Sequence, residues 1–577
     1  MVSGKVVEYV ASYQNYATVV HENLRELYHV SAETYGEKIL FMEKKDGVYQ
    51  NYSFRRYCDD VDALGTELLA NGFSGKRVIV MGENCYWWAT AYMAVVCGVG
   101  VVVPVDKDIA PEELSRIVAE ANVSAIFYAP SLSQKVQALG DDVFGVSFDE
   151  LGDWILRGKQ RLEAGETAFL TNRIDSHAMS VLIFTSGTTG ASKGVMLSHR
   201  NICFNLSEMC QMVYIDDKDV FLSVLPLHHA YECTCGFLCP VYRGATVAFS
   251  EGLRHVTRNM QEVRPTVILS VPLLLETIYH KVWANIRKQG MEKKVKAAIY
   301  ATNAIPTAEA RVSLKRRIFA DIHKTFGGRL RTIISGGAAV DPEIIKGMRD
   351  LGIQTYQGYG LTECAPLAAL NRDTFYNDRS AGMATPNCLL DVYDVQNDGT
   401  GEIRCKGDNV MLGYYNQPDV TAEVIRDGWF YTGDLGYMDK DGFLYITGRK
   451  KNVIVTSDGK NIFPEELEAK LEKSAFVAES VVVGYMNDQK RDYDVVALIR
   501  PNLERVKEVY GEQYTKDQLE TELKKVISQV NGSVPPYKRI AHFVLRLEEF
   551  PKNTSRKIKR AGLADAAFAD YQAKVKK

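Results

Sequence analysis

The stretch from Val181 to Asn201 combines a short apolar run with residues that can bind phosphate. Val181–Phe184 has the length and composition of a buried strand. The residues after it that offer hydroxyl groups, backbone freedom or positive charge are Thr185, Ser186, Gly187, Thr188, Thr189, Gly190 and Lys193. Glycine lets a backbone approach a ligand closely, and hydroxyl and ammonium groups donate hydrogen bonds to it. We therefore predict a loop that holds the phosphates of a nucleotide.

The position of Lys193 separates this loop from the common nucleotide-binding loop. In that motif the lysine follows a glycine and precedes Ser or Thr, whereas Lys193 follows Ser192 and precedes Gly194. The spacing therefore disfavours a P-loop kinase or GTPase. The alternative is a flexible surface turn, and the apolar strand in front of the loop argues against it.

Four later stretches combine glycine with isolated polar residues. Their chemistry suits the other parts of a nucleotide: small residues could accept a flat ring, a carboxylate could hold Mg²⁺, a second carboxylate could accept ribose hydroxyls, and a cationic run could contact phosphate. The small residues are Gly336, Gly337 and Ala338. The carboxylate for Mg²⁺ is Glu363, in a stretch that also contains Tyr356, Gln357, Gly358, Tyr359 and Thr362. The second carboxylate is Asp434, and the cationic run includes Arg449 and Lys451. Taken singly, each stretch is equally consistent with an ordinary turn or junction.

The elements that must position these residues alternate between strand and helix. Apolar strands such as Arg77–Met81 and Val101–Val105 are separated by helical patterns, which indicates an α/β fold with largely parallel, layered sheets. After about Asp391 the pattern changes to short strands and turns, and beyond Gly448 it becomes a small α+β unit. We predict a large N-terminal domain over 1–448, made of layered α/β subdomains and a small β region, and a small α+β C-terminal domain over 449–577.

Composition limits the partners. The chain has 577 residues and a formal net charge of −3, which gives no reason to expect nucleic acid or an anionic membrane as a partner. Eleven scattered cysteines are typical of reduced thiols, so we expect a cytoplasmic protein. The nearly uncharged segment from Trp87 to Val105 is broken by glycines and predicts helix, turn and strand rather than a transmembrane span. A peripheral membrane contact stays open, although no basic amphipathic helix is evident.

In this order, the phosphate loop and the four later stretches resemble the adenylate-forming superfamily of acyl-CoA synthetases, luciferases and peptide-synthetase adenylation domains. The resemblance extends from about Tyr35 to Arg560. Val271-Pro272 and the run Leu225–His229 are most similar to the long-chain fatty acid CoA ligase branch. The resemblance implies that a medium- to long-chain fatty acid reacts with ATP to give acyl-AMP and pyrophosphate, and that CoA then displaces AMP.

The resemblance also implies roles for the residues. Thr185 to Lys193 would hold the β- and γ-phosphates, and the two glycine-containing stretches from Gly336 to Ala338 and from Tyr356 to Tyr359 would frame adenine. Thr362 would contact the α-phosphate, Glu363 would bind Mg²⁺, Asp434 would bind the ribose, and Arg449 would steady ribose and phosphate. His229 would lie at the carboxylate end of the acyl pocket. A zinc site formed by His228, His229 and nearby cysteines is the alternative, but its spacing fits no standard pattern.

The resemblance implies that the small C-terminal domain is mobile, and two lysines belong to it. Lys451 matches the family's hinge position, and Lys557 matches the lysine that bridges carboxylate and α-phosphate during adenylation. This chain departs from the family at Arg556, where glycine is usual, which puts the shape of that loop in doubt. Two other functions stay open at this point: a ligase that transfers the acyl group to a carrier-protein thiol, and a non-catalytic nucleotide- or acyl-binding protein.

Overall fold

The computed structural model describes residues 15–140, 143–185, 192–458, 460–487, 492–552, 558–560, 562–565 and 568. The predicted site residues Ser186, Gly187, Thr188, Thr189, Gly190 and Lys557 lie outside these ranges.

Most strands are short and apolar, as expected for sheets covered by helices on both faces. In chain order they are β1 Ile39–Lys45, β2 Val48–Ser53, β3 Lys76–Met81, β4 Gly100–Val105, β5 Val123–Tyr128, β6 Phe144–Ser147, β7 Met179–Thr185, β8 Lys193–Ser198, β9 Val220–Ser223, β10 Thr246–Phe249, β11 Val267–Ser270, β12 Thr332–Ser335, β13 Gln354–Gly360, β14 Leu367–Leu370, β15 Met383–Ala384, β16 Leu389–Tyr393, β17 Gly401–Lys406, β18 Gly413–Tyr414, β19 Ile425–Arg426, β20 Trp429–Met438, β21 Leu444–Arg449, β22 Ile454–Val455, β23 Asn461–Ile462, β24 Val477–Asn487, β25 Asp492–Pro501 and β26 Ile540–Leu545.

The helices begin at recognisable signals. Ser198 and Asn201 form a capping box at the start of one helix, and Pro342, Pro418 and Pro464 each occupy a first turn. The helices are α1 Leu24–Tyr35, α2 Phe54–Ala70, α3 Tyr86–Ala94, α4 Pro111–Glu120, α5 Ser133–Gln137, α6 Leu151–Glu163, α7 Ala168–Thr171, α8 His199–Cys210, α9 Cys239–Arg243, α10 Val256–Val263, α11 Pro272–Lys288, α12 Glu292–Asn303, α13 Ala308–Ile318, α14 Ala320–Thr325, α15 Pro342–Asp350, α16 Pro418–Val424, α17 Pro464–Glu472, α18 Leu503–Tyr510 and α19 Lys516–Gly532.

Two large sheets form the N-terminal part of the molecule. One has the strand order β15-β14-β13-β12-β11-β9-β10-β1-β2 and the other has the order β18-β8-β7-β4-β3-β5-β6. The inner strands of both sheets are mainly parallel. The largest buried cluster contains residues of both sheets, among them Phe41, Val102 and Phe221. The prediction of a layered α/β fold is confirmed.

A smaller antiparallel sheet follows, with the order β16-β17-β20-β19 and β21 paired to β20. Beyond it, β24, β25 and β26 form a three-stranded sheet with its own apolar cluster, to which Leu467 and Leu471 of α17 contribute. The large N-terminal domain and the smaller α+β C-terminal domain therefore agree with the prediction.

The uncharged segment around Trp87 is divided among three elements. Helix α3 continues into a π-helical turn over Val95–Val99, and β4 begins at Gly100. Across the described residues, no helix is both long and apolar enough to cross a bilayer.

Candidate active site

The predicted site residues gather where parallel strands end. Strands β9, β11, β12 and β13 run parallel, so their carboxyl ends lie at one edge of the nine-stranded sheet. Ligands of open α/β sheets bind outside such an edge. The small residues after β12 and the polar residues after β13 are therefore brought together by topology.

The two strands that carry the phosphate loop form an antiparallel hairpin. Thr185, the last residue of β7, lies opposite Lys193, the first residue of β8. The Thr185 Oγ1 hydroxyl donates a hydrogen bond to the carbonyl oxygen of Lys193 at 3.3 Å. The hairpin thus fixes both ends of the predicted loop, while the hydroxyl and glycine residues between them lie outside the described part of the chain.

Tyr414 connects the lysine of this hairpin to the predicted metal ligand. The Lys193 Nζ atom lies 4.7 Å from the centre of the Tyr414 ring, which is a cation–π distance. The Tyr414 hydroxyl donates to Glu363 Oε1 at 2.9 Å. Burial and the neighbouring Glu363 carboxylate raise the pKa of Tyr414, so the hydroxyl keeps its proton and acts as the donor. Our sequence analysis did not select Tyr414.

The placement of Tyr414 depends on a pairing between distant parts of the chain. Strand β18 is only two residues long and pairs with β8, so that Tyr414 lies opposite Val195. The only local signal was the aromatic pair of Tyr414 and Tyr415 beside Gly413 in a turn-rich region. This local pattern does not predict a contact with a residue more than two hundred positions earlier in the sequence.

Glu363 has one carboxylate oxygen, Oε2, that forms no hydrogen bond with a described residue. It lies in the 3₁₀ turn Thr362–Cys364 that follows β13, and its backbone carbonyl accepts from the Met411 amide at 2.8 Å. Only its Oε1 atom is hydrogen bonded within the described part of the chain. A half-buried carboxylate with one free oxygen, beside a predicted phosphate loop, fits the hard oxygen ligands that Mg²⁺ prefers.

Asp434 contacts two other predicted site residues. The Tyr359 hydroxyl donates to Asp434 Oδ2 at 2.7 Å, and the Arg449 Nε atom lies 2.6 Å from Asp434 Oδ1. The pairing of β20 with β21 places Asp434 directly opposite Arg449. Asp434 is buried, and the pKa of Tyr359 is raised well above its usual value by burial and by this carboxylate. Three predicted site residues therefore form one hydrogen-bonded group.

The small residues after β12 leave open backbone at the sheet edge. Gly337 and Ala338 are exposed, and Gly337 has a φ of +87°, a conformation that favours glycine. Gly336 is buried against Tyr231, and a Cβ atom at Gly336 would lie 3.1 Å from the Tyr231 ring. A flat ring could lie along this exposed backbone.

The side chains of Tyr356 and Gln357 serve the packing of β13. The Tyr356 hydroxyl donates to the Asp373 carbonyl at 3.3 Å. Gln357 Oε1 accepts from the Val340 amide at 3.1 Å, and its Nε2 donates to the Ser380 carbonyl at 2.7 Å. Any contact of these residues, or of the neighbouring Gly358, with a bound adenine would therefore come from backbone atoms.

A small apolar cavity of about 30 Å³ is lined by residues that include members of α8, β11 and β12. Tyr231 borders the cavity and also contacts Gly336, and its hydroxyl donates to the Ile334 carbonyl at 2.9 Å. The other residues that line it include Met209, Cys210, Val213, Cys235, Cys239 and Leu269. Cys235 and Cys239, which the zinc alternative would have used, are thus packed against apolar side chains. Our sequence analysis also missed Tyr231.

His229 lies in the loop between β9 and the π-helical turn Glu232–Leu238. Its ring centre is 4.1 Å from that of His228. Burial and the neighbouring His229 and Lys107 lower the pKa of His228 well below its usual value, so His228 is neutral. The two histidines therefore lie together at the start of the segment that borders the apolar cavity.

Cations from both domains converge near the phosphate loop. Burial, Arg449, Arg560 and Lys193 lower the pKa of Lys451 to about 8, and Glu465 opposes them. Arg560 is held by Glu468 and by the Val482 carbonyl. Lys557 lies outside the described residues, and Lys552 and Ile558 on either side of it form a β-bridge.

Comparisons with known proteins identify the family of the chain. The profile of the AMP-binding enzyme family matches residues 28–415, and the profile of an AMP-binding enzyme C-terminal domain matches residues 451–577. Long-chain-fatty-acid–CoA ligase FadD15 of Mycobacterium bovis is 26% identical over 98% of this chain and 97% of its own length. Indoleacetate–CoA ligase of Aromatoleum aromaticum is 29% identical over 78% of this chain and 84% of its own.

A solved structure shares the fold. O-succinylbenzoate coenzyme A synthetase from Bacillus subtilis, in complex with ATP and a magnesium ion, matches with a TM-score of 0.71 and 22% identity, over 93% of this chain and 99% of that one. The predicted resemblance to adenylate-forming enzymes and to long-chain fatty acid CoA ligases is confirmed by these matches.

Proposed function

The chain belongs to the AMP-binding enzyme family, and on that premise we propose that it is an acyl-CoA synthetase acting on a medium- to long-chain fatty acid. The observation that carries this proposal is the arrangement around one sheet edge. The Lys193–Tyr414–Glu363 contacts and the Tyr359–Asp434–Arg449 group each include a residue of β13 or of the turn after it, and the apolar cavity and Gly336 share a contact with Tyr231. A nucleotide and an apolar acid would meet between them.

ATP would bind along the edge from the hairpin to Asp434. Lys193 and Thr185 would hold the outer phosphates, Thr362 would contact the α-phosphate, and Asp434 would accept hydrogen bonds from the ribose hydroxyls. The adenine would lie on the exposed backbone of Gly337 and Ala338. Arg449, already paired with Asp434, would steady the ribose and the phosphate.

Mg²⁺ would be held by the free oxygen of Glu363, and when bound it would neutralise charge on the phosphates. Tyr414 would orient Glu363 by its hydrogen bond, and it would hold Lys193 by its ring. These two contacts would keep the cation of the loop and the metal ligand in a fixed relation before ATP arrives.

The acid would bind with its chain in the apolar cavity and its carboxylate near His229. The cavity is small, so Tyr231 and its neighbours would move to admit a long chain. In the first step a carboxylate oxygen would bond to the α-phosphorus as pyrophosphate leaves, which gives acyl-AMP. In the second step the CoA sulfur would bond to the acyl carbon as AMP leaves. The first step brings anions together, so positioning and cations must supply most of its catalysis.

Lys557 would bridge the carboxylate and the α-phosphate in the first step only, and Lys451 would act as the hinge between the two steps. We expect purified protein with ATP, Mg²⁺, CoA and a fatty acid panel to release AMP and form the thioester. The panel should include aryl acids, because one relative is an indoleacetate–CoA ligase. Absence of AMP release with every acid would contradict the proposed function.

The variant Lys557→Ala tests the role of this lysine. We expect it to lose acyl-AMP formation by at least about 100-fold, because a positioned cation is removed from the transition state. It should still convert supplied acyl-AMP to thioester at a rate close to that of the unchanged protein. Lys559→Ala in the same stretch is the matched control and should keep both steps. Equal loss of both steps in Lys557→Ala would refute the role.

A further inference from the structure

Helices α11 to α14 carry a charge that the rest of the chain does not. Residues 272–325 contain eleven Lys and Arg and four Asp and Glu, a net charge of +7, whereas the whole chain carries −3. The remainder of the protein is therefore acidic. A large charge of one sign in one layer creates a local potential that attracts anionic surfaces.

The basic side chains of α12 face away from the protein core. Its inner side is formed by Val295, Ala298 and Ile299, which pack with Ile286 of α11 and Phe319 next to α13. Residues three, four and seven apart lie on one helical face, so Lys293, Ala297 and Tyr300 form the opposite stripe. Lys294 and Lys296 flank this stripe, and all five residues are exposed.

The helices that carry these cations also expose large apolar side chains. Tyr300 is 84% exposed and Ile318, at the end of α13, is 47% exposed. Lys293, Lys294 and Arg317 form no ion pair with another described residue. We call the surface formed by Lys293, Lys294, Lys296, Tyr300, Arg317 and Ile318 the basic face.

We propose that the basic face docks on an anionic lipid bilayer. Exposed lysines on the same helix as an exposed aromatic ring, with only Lys296 paired to Glu292 among the described residues, suit the boundary of such a membrane, where the ring inserts among headgroups and the cations contact anionic lipids. Read helix by helix, the sequence shows no basic amphipathic anchor, because the cations are spread over several helices. Only the packing of α12 against α11 and α13 shows which side chains point outward.

A lipid surface fits better than a nucleic acid. Nucleic-acid contacts rely on cations that reach phosphates, and they give no reason for an exposed isoleucine beside them. The distance to the proposed active site also matters. Helix α11 starts at the sheet edge and has 17 residues, so it carries its far end about 25 Å away. Membrane contact on the basic face therefore leaves the nucleotide edge accessible, and the proposal does not depend on the proposed reaction.

The test is sedimentation of the full chain with phosphatidylcholine vesicles that contain or lack phosphatidylserine, at low and high salt. We expect binding that requires phosphatidylserine and weakens with salt. The triple variant Lys293→Ala/Lys294→Ala/Lys296→Ala should bind about 100-fold more weakly, because each cation near an anionic surface contributes to the affinity. Tyr300→Ala should weaken binding at least about fivefold, because less apolar surface is buried.

The matched control removes three exposed lysines from α19, as Lys516→Ala/Lys524→Ala/Lys525→Ala. It changes the total charge equally and should bind vesicles as the unchanged protein does. Circular dichroism and thermal unfolding check the fold of each variant. The proposal would be overturned if the α12 variant bound vesicles as the unchanged protein does, or if the control lost binding equally. Binding that does not depend on phosphatidylserine would also overturn it. If the unchanged protein bound RNA in preference to vesicles, and the α12 variant lost that RNA binding, the assignment of lipid as the partner would be wrong.

Discussion

Asp434 is the residue on which the ribose side of the proposed site depends, because its two carboxylate oxygens have different partners. Tyr359 donates to one oxygen and Arg449 is paired with the other. The group is formed before any ligand binds. A ribose hydroxyl would therefore meet an acceptor that is already fixed in position, which lowers the entropy cost of binding.

We expect Asp434→Asn to weaken ATP binding at least about tenfold, because a neutral amide accepts ribose hydrogen bonds less well than a carboxylate. The change should also lower the free energy of unfolding by about 2 kcal/mol, because Arg449 loses its partner. Calorimetric titration with ATP and denaturant unfolding measure the two effects.

Asp391→Asn is the matched control for this change. Asp391 is paired with Arg404 in the same small sheet, so the variant also breaks an Asp–Arg pair. It should leave ATP binding unchanged. Equal weakening of ATP binding in the two variants would mean that Asp434 acts through the stability of the sheet and not through the ribose.

Among the strands, β18 is one that local sequence signals do not predict. The strands β3, β4, β5 and β7 were predictable, because their apolar runs are local signals bounded by turns. A two-residue strand has no periodicity, and its pairing with β8 is decided by the packing of distant segments. The contact between Tyr414 and Lys193 was therefore not predictable from the sequence.

The same reason explains why some residues of the site were predicted from the sequence and others were not. Glu363, Asp434 and Arg449 lie in local motifs that combine glycine with a charged residue, so the sequence selects them as candidates. Tyr231 and Tyr414 are aromatic residues in apolar surroundings, which locally resemble core residues. Their contacts with Gly336 and Glu363 exist only in the folded chain.

We expect Tyr414→Phe to raise the Mg²⁺ concentration needed for half-maximal acyl-AMP formation about threefold or more. The variant keeps the ring near Lys193 but removes the hydrogen bond that orients Glu363, and such a bond contributes about 1 kcal/mol. Pyrophosphate release at graded Mg²⁺ concentrations measures the effect. Tyr415→Phe, at the next position, is the control and should not change the Mg²⁺ requirement. An unchanged requirement in Tyr414→Phe would mean that its hydroxyl does not position Glu363.

At the scale of the whole molecule, two domains contribute positive charge to one place. Lys193 and Arg449 precede the predicted hinge, and Lys451 and Arg560 follow or form it. Lys450, next to the hinge residue, is paired with Glu402 at 2.8 Å, and Lys473 of the C-terminal domain is paired with Asp341 at 3.0 Å. Two ion pairs therefore connect the domains, while Lys451 is surrounded by Arg449, Arg560 and Lys193, with Glu465 as the opposing charge.

A bound pyrophosphate would reduce the repulsion between Lys451 and the neighbouring cations, so we expect Lys451 to take up a proton when pyrophosphate binds. Its pKa is lowered to about 8, so the side chain is partly neutral at about pH 8 and charged at about pH 6. A nearby anion raises the pKa, so proton uptake on binding should appear at about pH 8 and vanish at about pH 6. Calorimetry in buffers with different ionisation enthalpies measures it. Lys451→Arg should bind without uptake, because arginine stays charged, whereas Lys450→Met should keep it. Uptake that persists in Lys451→Arg would assign the proton to another group.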